Sequence, residues 1–140
     1  IGLADDKDVA KVILCHNRNQ SCVDLTGYTK TIRELMIIFH FSSLLITNDG
    51  GPGHFAAMTP IPSIIFYGPE TPTLYGAMNE NAVNYYLNFS CSPCVTAYNH
   101  RKSPCDGDNL CLKNIQPEKV LARAIEILEG EMFEKNAQNP

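Results

Sequence analysis

Two apolar runs constrain this chain more than anything else in it: Leu44-Leu45-Ile46-Thr47 and Ser63-Ile64-Ile65-Phe66-Tyr67. A strand with one wet face alternates apolar and polar residues, whereas an unbroken run needs cover on both faces, as in a parallel sheet between helical layers. The stretches around the runs supply those helices. Thr31-Ile32-Arg33-Glu34 is a capping box, and Ile32, Leu35, Met36 and Phe39 follow at i, i+3, i+4 and i+7. Pro117 suits a first helical position, Val120, Leu121, Ala124, Ile127 and Leu128 form a stripe, and Gly130 reads as its stop. Near the start, Asp5 or Asp6 reads as the N-cap of a helix that buries Val9, Val12 and Ile13. Ser21-Cys22-Val23-Asp24-Leu25 reads as a short strand with Thr26-Gly27 as its turn, and Ala82–Leu87 as a weaker third run. Ile1-Gly2 resembles the end of a strand that begins upstream. Strands alternating with helices at this spacing predict an α/β fold, a Rossmann-like parallel sheet with helices on both faces.

Length and charge narrow the partners. With 140 residues and 44% hydrophobic content, the chain predicts one domain over residues 1–130, interrupted by a cysteine-rich excursion at 90–112, and a tail at 131–140. A net charge of −4 offers no basic face for nucleic acid. No apolar run approaches the roughly 20 residues of a membrane span, and the N-terminus lacks the layout of a signal peptide.

The segment Asn48-Asp49-Gly50-Gly51-Pro52-Gly53-His54 sits where the first run hands over to a helix, the position at which open α/β sheets bind ligands. Gly50, Gly51 and Gly53 have no side chains to obstruct an incoming group, Pro52 suits the first helical turn, and the remaining free amides suit an anion. A carboxylate beside a phosphate repels it, so Asp49 points to hydroxyl groups. A ligand joining diphosphate to polyol, such as a nucleotide sugar, uses both. The plainer alternative is that Asp49 caps the helix and the glycines only make a tight turn.

Asn48-Asp49-x-Gly51-Pro52-x-His54-x-Ala56-Ala57, followed by Pro62, an apolar strand and Gly68-Pro69, resembles the C-terminal domain of the ADP-heptose:lipopolysaccharide heptosyltransferase family, glycosyltransferase family nine. Asp24-Leu25-Thr26-Gly27 before Ile32-Arg33-Glu34-Leu35 is similar to that family's preceding segment. The resemblance implies the C-terminal half of a GT-B enzyme, with inverting chemistry and no cofactor or metal required for transfer. It implies a nucleotide diphosphate sugar of the ADP-heptose kind as donor, and lipopolysaccharide or a related glycan as acceptor. A bacterial cytoplasmic location follows, with peripheral association to the inner membrane through the acceptor. By the same resemblance, Gly50 to His54 cradle the donor diphosphate, Asp49 holds the sugar hydroxyls, Asn48 opens the motif, and Leu25 and Thr26 lie near the nucleobase. The general base is expected in the family's N-terminal domain, so no catalytic residue is assigned here and this chain is expected to be silent alone. Three departures bear on the donor: Gly50 stands where Ser or Thr is usual, Pro60 where Gly is common, and Glu70 where Thr is frequent. Glu70 reads either as a second sugar or ribose ligand or as an exposed loop residue.

The cysteines form a second constellation. Cys91-Ser92-Pro93-Cys94, Cys105 and Cys111 give C-x2-C followed by C-x5-C, which suits a tetrahedral zinc site, a disulfide framework or free thiols. Asn19-Gln20-Ser21 and Asn88-Phe89-Ser90 would serve as sequons in a secreted protein. Tyr98-Asn99-His100-Arg101-Lys102 is the one locally basic run, suited to an anionic ligand or to solvent. His54 belongs to the phosphate loop or to packing, His40 reads as a helix-end residue, and His16 and His100 have no partner at useful spacing. A non-enzymatic reading also stands: an α/β module presenting a four-cysteine metal knuckle to a partner.

Overall fold

The middle strand of the sheet carries the core. In the computed structural model, which describes residues 1–99, 102, 103, 105 and 107–137, with side chains as far as 130, three parallel strands run in the order β1 (Leu45–Asn48), β2 (Ser63–Tyr67), β3 (Ala82–Tyr86). Ile46 pairs with Ile64, and Phe66 with Tyr85. Successive side chains of β2 point to opposite faces, and both faces are covered. Ile64 packs with Val120 and Ala124 of a C-terminal helix, α6 (Pro117–Ala137), in a cluster edged by Val83 and Tyr85. Ile65, on the other face, lies against Gly53 of the short helix α3 (Gly51–Ala56). Both isoleucines are at most 1% exposed, and burying each contributes about 1.5–3 kcal/mol. Phe66 meets Tyr85 edge to face at 6.1 Å, and the Tyr85 hydroxyl donates to the Lys119 carbonyl at 3.0 Å, which ties β3 to the start of α6. The apolar runs thus form the parallel α/β sheet that their pattern predicts, with β2 covered on both faces, whereas on the edge strand β1 cover is one-sided and Ile46 is 48% exposed. Short helices α4 (Pro72–Tyr75) and α5 (Leu110–Lys113) complete this part of the chain.

The chain divides into two compact units, Ile1–Ile38 and Phe39–Pro140, with the sheet in the second. The first contains a 3-10 turn at Ala4–Asp6, then α1 (Lys7–His16), a loop, and most of α2 (Ile32–His40). The capping box holds: the Glu34 amide donates to Thr31 Oγ1 at 3.2 Å, and Glu34 Oε2 accepts from the Thr31 and Lys30 amides at 3.1 and 2.5 Å. Phe39, at the far end of α2, is 1% exposed and begins the second unit.

Three local expectations fail. Helix α1 forms, yet Val9, Val12 and Ile13 are 62%, 60% and 62% exposed instead of buried. The first unit contains no strand among its described residues, so it offers that stripe no sheet of its own. Asp6 takes the N-cap position without a capping bond; its carboxylate accepts instead from the Leu3 amide at 2.7 Å. The predicted strand at 21–25 is irregular. Asn17, Asn19 and Asp24 each accept from the backbone amide two residues ahead, at 2.9, 2.9 and 2.8 Å, and these local bonds compete with a strand ladder. Gly130 does not stop the last helix, which continues to Ala137 across most of the expected tail. A glycine inside a helix costs about 1 kcal/mol relative to alanine, too little to end one.

Candidate functional site

The carboxyl end of β1 is where the chain can receive a ligand. The Asp49 amide donates to the Phe66 carbonyl at 2.8 Å, extending the pairing with β2 by one residue, and the backbone then turns away at Gly50. Gly50 has φ 151° and ψ −169°, a conformation that L side chains rarely adopt, so glycine is required there by the backbone itself. It occupies the N-cap position of α3 and has no side chain with which to cap. Pro52 stands in the first turn, as its missing amide allows.

The other glycines differ in role. A Cβ on Gly51 would meet only the Phe55 ring, at 3.4 Å, and Gly51, Pro52 and His54 are exposed. Gly53 is buried, and a Cβ there would lie 3.0 Å from Ile65 Cδ1. Its missing side chain lets α3 approach β2, whereas the missing side chain of Gly51 leaves the loop surface open. Ala56 is fully buried one turn later.

Asp49 is half-buried and Asn48 exposed. Burial pushes the Tyr67 phenol above its ordinary value, and the negative charge of Asp49 adds to the push. The Tyr67 hydroxyl accepts from the Ala77 amide at 3.3 Å and the side chain is 1% exposed. Sequence reasoning missed this phenol as a neighbour of Asp49. The available signal was an aromatic residue closing an apolar run just before Gly68-Pro69. Glu70 is 8% exposed, contrary to its reading as an exposed loop residue.

The remaining candidates belong to other segments of the chain. Leu25 and Thr26 belong to the first unit, where Thr26 lowers the Asp24 carboxyl below its ordinary range, first through its side chain and then through its amide. Gly27 follows at φ 72° and donates to the Gly2 carbonyl at 2.8 Å. His40 ends α2, and the His16 ring contacts the Val12 carbonyl through Nδ1 at 2.8 Å. His100 and Arg101 of the basic run lie outside the described residues.

All six cysteines are free. Cys91 and Cys105 are exposed, Cys94 is intermediate and Cys111 buried, and burial raises the Cys111 thiol above its usual value. Among the described residues no three His, Cys, Asp or Glu side chains are grouped so as to hold a metal ion as they stand. No helix is long and apolar enough to cross a membrane.

A parallel sheet whose central strand is covered on both faces, with a glycine-bearing loop at the carboxyl end of its neighbour, defines an α/β domain. Residues 2–103 match the model of glycosyltransferase family 9 (heptosyltransferase), and the chain belongs to that family. It is 33% identical over 101 residues to lipooligosaccharide heptosyltransferase 2 of Campylobacter jejuni subsp. jejuni serotype O:2, an alignment covering 71% of this chain and 30% of that protein. The fold is similar to the solved structure of E. coli ADP-heptose lps heptosyltransferase II, with a TM-score of 0.74 at 24% identity over 94% of this chain and 36% of that one. It is also similar to a family 9 glycosyl transferase from Veillonella parvula, with a TM-score of 0.69 at 26% identity over 92% of this chain and 36% of that one. The chain therefore spans about a third of the length of the relatives it matches.

Proposed function

We propose that this chain supplies the donor-binding part of an inverting GT-B glycosyltransferase, which moves a heptose-like sugar from a nucleotide diphosphate sugar to lipopolysaccharide core or a related glycan. The observation that carries the reading is the open end of β1, where exposed Gly51 and the glycine-specific turn at Gly50 leave the backbone approachable beside the Asp49 carboxylate. Backbone amides of the loop hold the diphosphate, and Asp49 accepts hydrogen bonds from the sugar's hydroxyls. In the transfer the acceptor oxygen bonds to the anomeric carbon as the bond from that carbon to the diphosphate oxygen breaks. The electron pair leaves on the nucleoside diphosphate, and the acceptor's proton passes to a base that is not assigned to this chain. The loop's contribution is to orient the donor and to stabilise the departing charge. With an acceptor anchored in lipid, the reaction belongs at the cytoplasmic surface of the inner membrane.

Two variants of the intact protein test the reading. Gly51→Val leaves folding room, since a Cβ there makes an ordinary contact with Phe55, yet it places a branched group where phosphate approaches. Calorimetry with nucleoside diphosphate alone should show at least about a tenfold weakening, or ~1.4 kcal/mol. Asp49→Ala removes a hydroxyl acceptor together with a charge that repels phosphate, so the diphosphate should bind as well or better. Turnover of the sugar donor should nonetheless fall by roughly ten- to two-hundred-fold, corresponding to the loss of one charged hydrogen bond of ~1.5–3 kcal/mol. If both variants bind and turn over like the parent, the loop is a turn and nothing more.

A further inference from the structure

Four of the six cysteines lie on the segment that covers the end of β2, and the structure fastens two of them to one dipeptide. The Cys94 and Val95 amides both donate to the Pro69 carbonyl, at 2.9 and 3.0 Å. Cys111, buried in α5, puts its sulfur 3.0 Å from the point where a side chain on Gly68 would begin. The Cys94 backbone and the Cys111 sulfur, distant in sequence, therefore both lie against Gly68-Pro69. Ser92 strengthens the attachment, its hydroxyl donating to the Gly68 carbonyl at 2.5 Å. Cys105 is linked to Cys94 through Ser103, whose hydroxyl donates to the Cys94 sulfur at 3.1 Å and accepts from the Cys105 amide at 3.0 Å. Cys91 is three residues before Cys94 and exposed. Between 88 and 114 only Ser92 and Cys111 are buried among the described residues, so apolar packing does little to hold this segment in place.

We propose that Cys91, Cys94, Cys105 and Cys111 close around one zinc ion as a structural tetrathiolate site. Cys94 and Cys111 are the fixed ligands, while Cys91 and Cys105, on exposed stretches, swing in to complete the tetrahedron. Zinc binds four thiolates with no open position, which suits a staple and not a reaction centre. Binding converts four thiols to thiolates and releases their protons to solvent, with no change of oxidation state. The proposal does not depend on the donor site, because its readout is metal content.

Elemental analysis of the intact protein, grown with zinc in the medium and purified under reducing conditions without added metal, should find about one equivalent of zinc. Cys91→Ser and Cys105→Ser alter exposed residues that the core does not need, and each should retain zinc against a chelator at least about tenfold less well. Cys15→Ser, in the first unit, should retain it like the parent. Cobalt added to the metal-free protein should give the intense visible absorption of a tetrahedral thiolate site, lost in both variants. The proposal is overturned by zinc below about a tenth of an equivalent with the four thiols reactive, by a mass showing disulfides among them, or by full zinc retention in both variants.

Discussion

The carboxyl ends of β1 and β2 lie side by side in one sheet, and the chain treats them in opposite ways. After β1 the residues stay largely exposed through Gly51, Pro52 and His54, with only Gly53 turned inward. After β2, Gly68 and Glu70 are buried, and Cys111, Leu112 and Ser92 lie on Gly68. Both ends begin with a glycine near a proline, so composition does not separate them. The difference is what returns to cover each one. The segment that follows β3 folds over the end of β2 and bonds to its carbonyls, and the end of β1 keeps a surface that a ligand can reach. In a parallel sheet the carboxyl ends are natural binding positions, and covering one of two neighbours concentrates binding at the other.

The largest test of this contrast is Gly68→Ala. The added Cβ would lie 2.8 Å from Leu112 Cγ and 3.0 Å from Cys111 Sγ, and because Leu112 Cγ is not the free end of its side chain, the residues that cover Gly68 must shift. A loss of about 1–3 kcal/mol is expected, read as a lower urea midpoint with an unchanged slope. An unchanged midpoint would show that the end of β2 is not sealed.

Gly53→Ala should have a smaller effect. Its Cβ would meet Ile65 Cδ1 at 3.0 Å, but that atom ends a flexible side chain and can move, and alanine favours the helix. The net change in stability should stay below about 1 kcal/mol, with nucleoside diphosphate affinity unchanged. A large loss of affinity would move Gly53 from packing to the ligand face.

The smallest effect lies away from both ends, in the first unit. Hydrogen bonds from the Lys30 amide, then from Thr31, hold the Glu34 carboxyl below its ordinary range. Because the folded value is depressed, the stabilisation is present above the unfolded value of about 4.3 and is lost as pH falls through the lowered one. In an acid titration the Lys30 and Thr31 amide resonances should move together, with a midpoint below that unfolded value. A midpoint at or above it would mean that the capping box is not formed in solution.

The features legible in the sequence are those set by neighbours along the chain. The capping box at Thr31 and Glu34 depends on residues three apart, and it forms as read. The runs at Leu44–Thr47 and Ser63–Tyr67 formed the two strands, and in β2 the continuous apolar character marked cover on both faces, while in the edge strand β1 Ile46 stays 48% exposed. The loop's position after β1 was equally readable, since a strand followed by glycines and a helix has few other geometries. The segment at 21–25 misled because its composition suits a strand, while Asn17, Asn19 and Asp24 satisfy amides locally, a competition that apolar patterning does not register.

By itself, then, the sequence determined the α/β pattern and the family motif around Asp49, with its glycines at the carboxyl end of a strand. Each follows from periodicity or from backbone sterics within a few residues. Tertiary structure alone decided which glycine packs and which stays open, because Gly51 and Gly53 differ only in whether Phe55 or Ile65 stands opposite. It also decided that Glu70 and Tyr67 are buried, that Val9, Val12 and Ile13 are not, and that Cys94 and Cys111 meet at one dipeptide. Burial is a property of what the rest of the chain brings alongside, and local pattern can state only the need for cover.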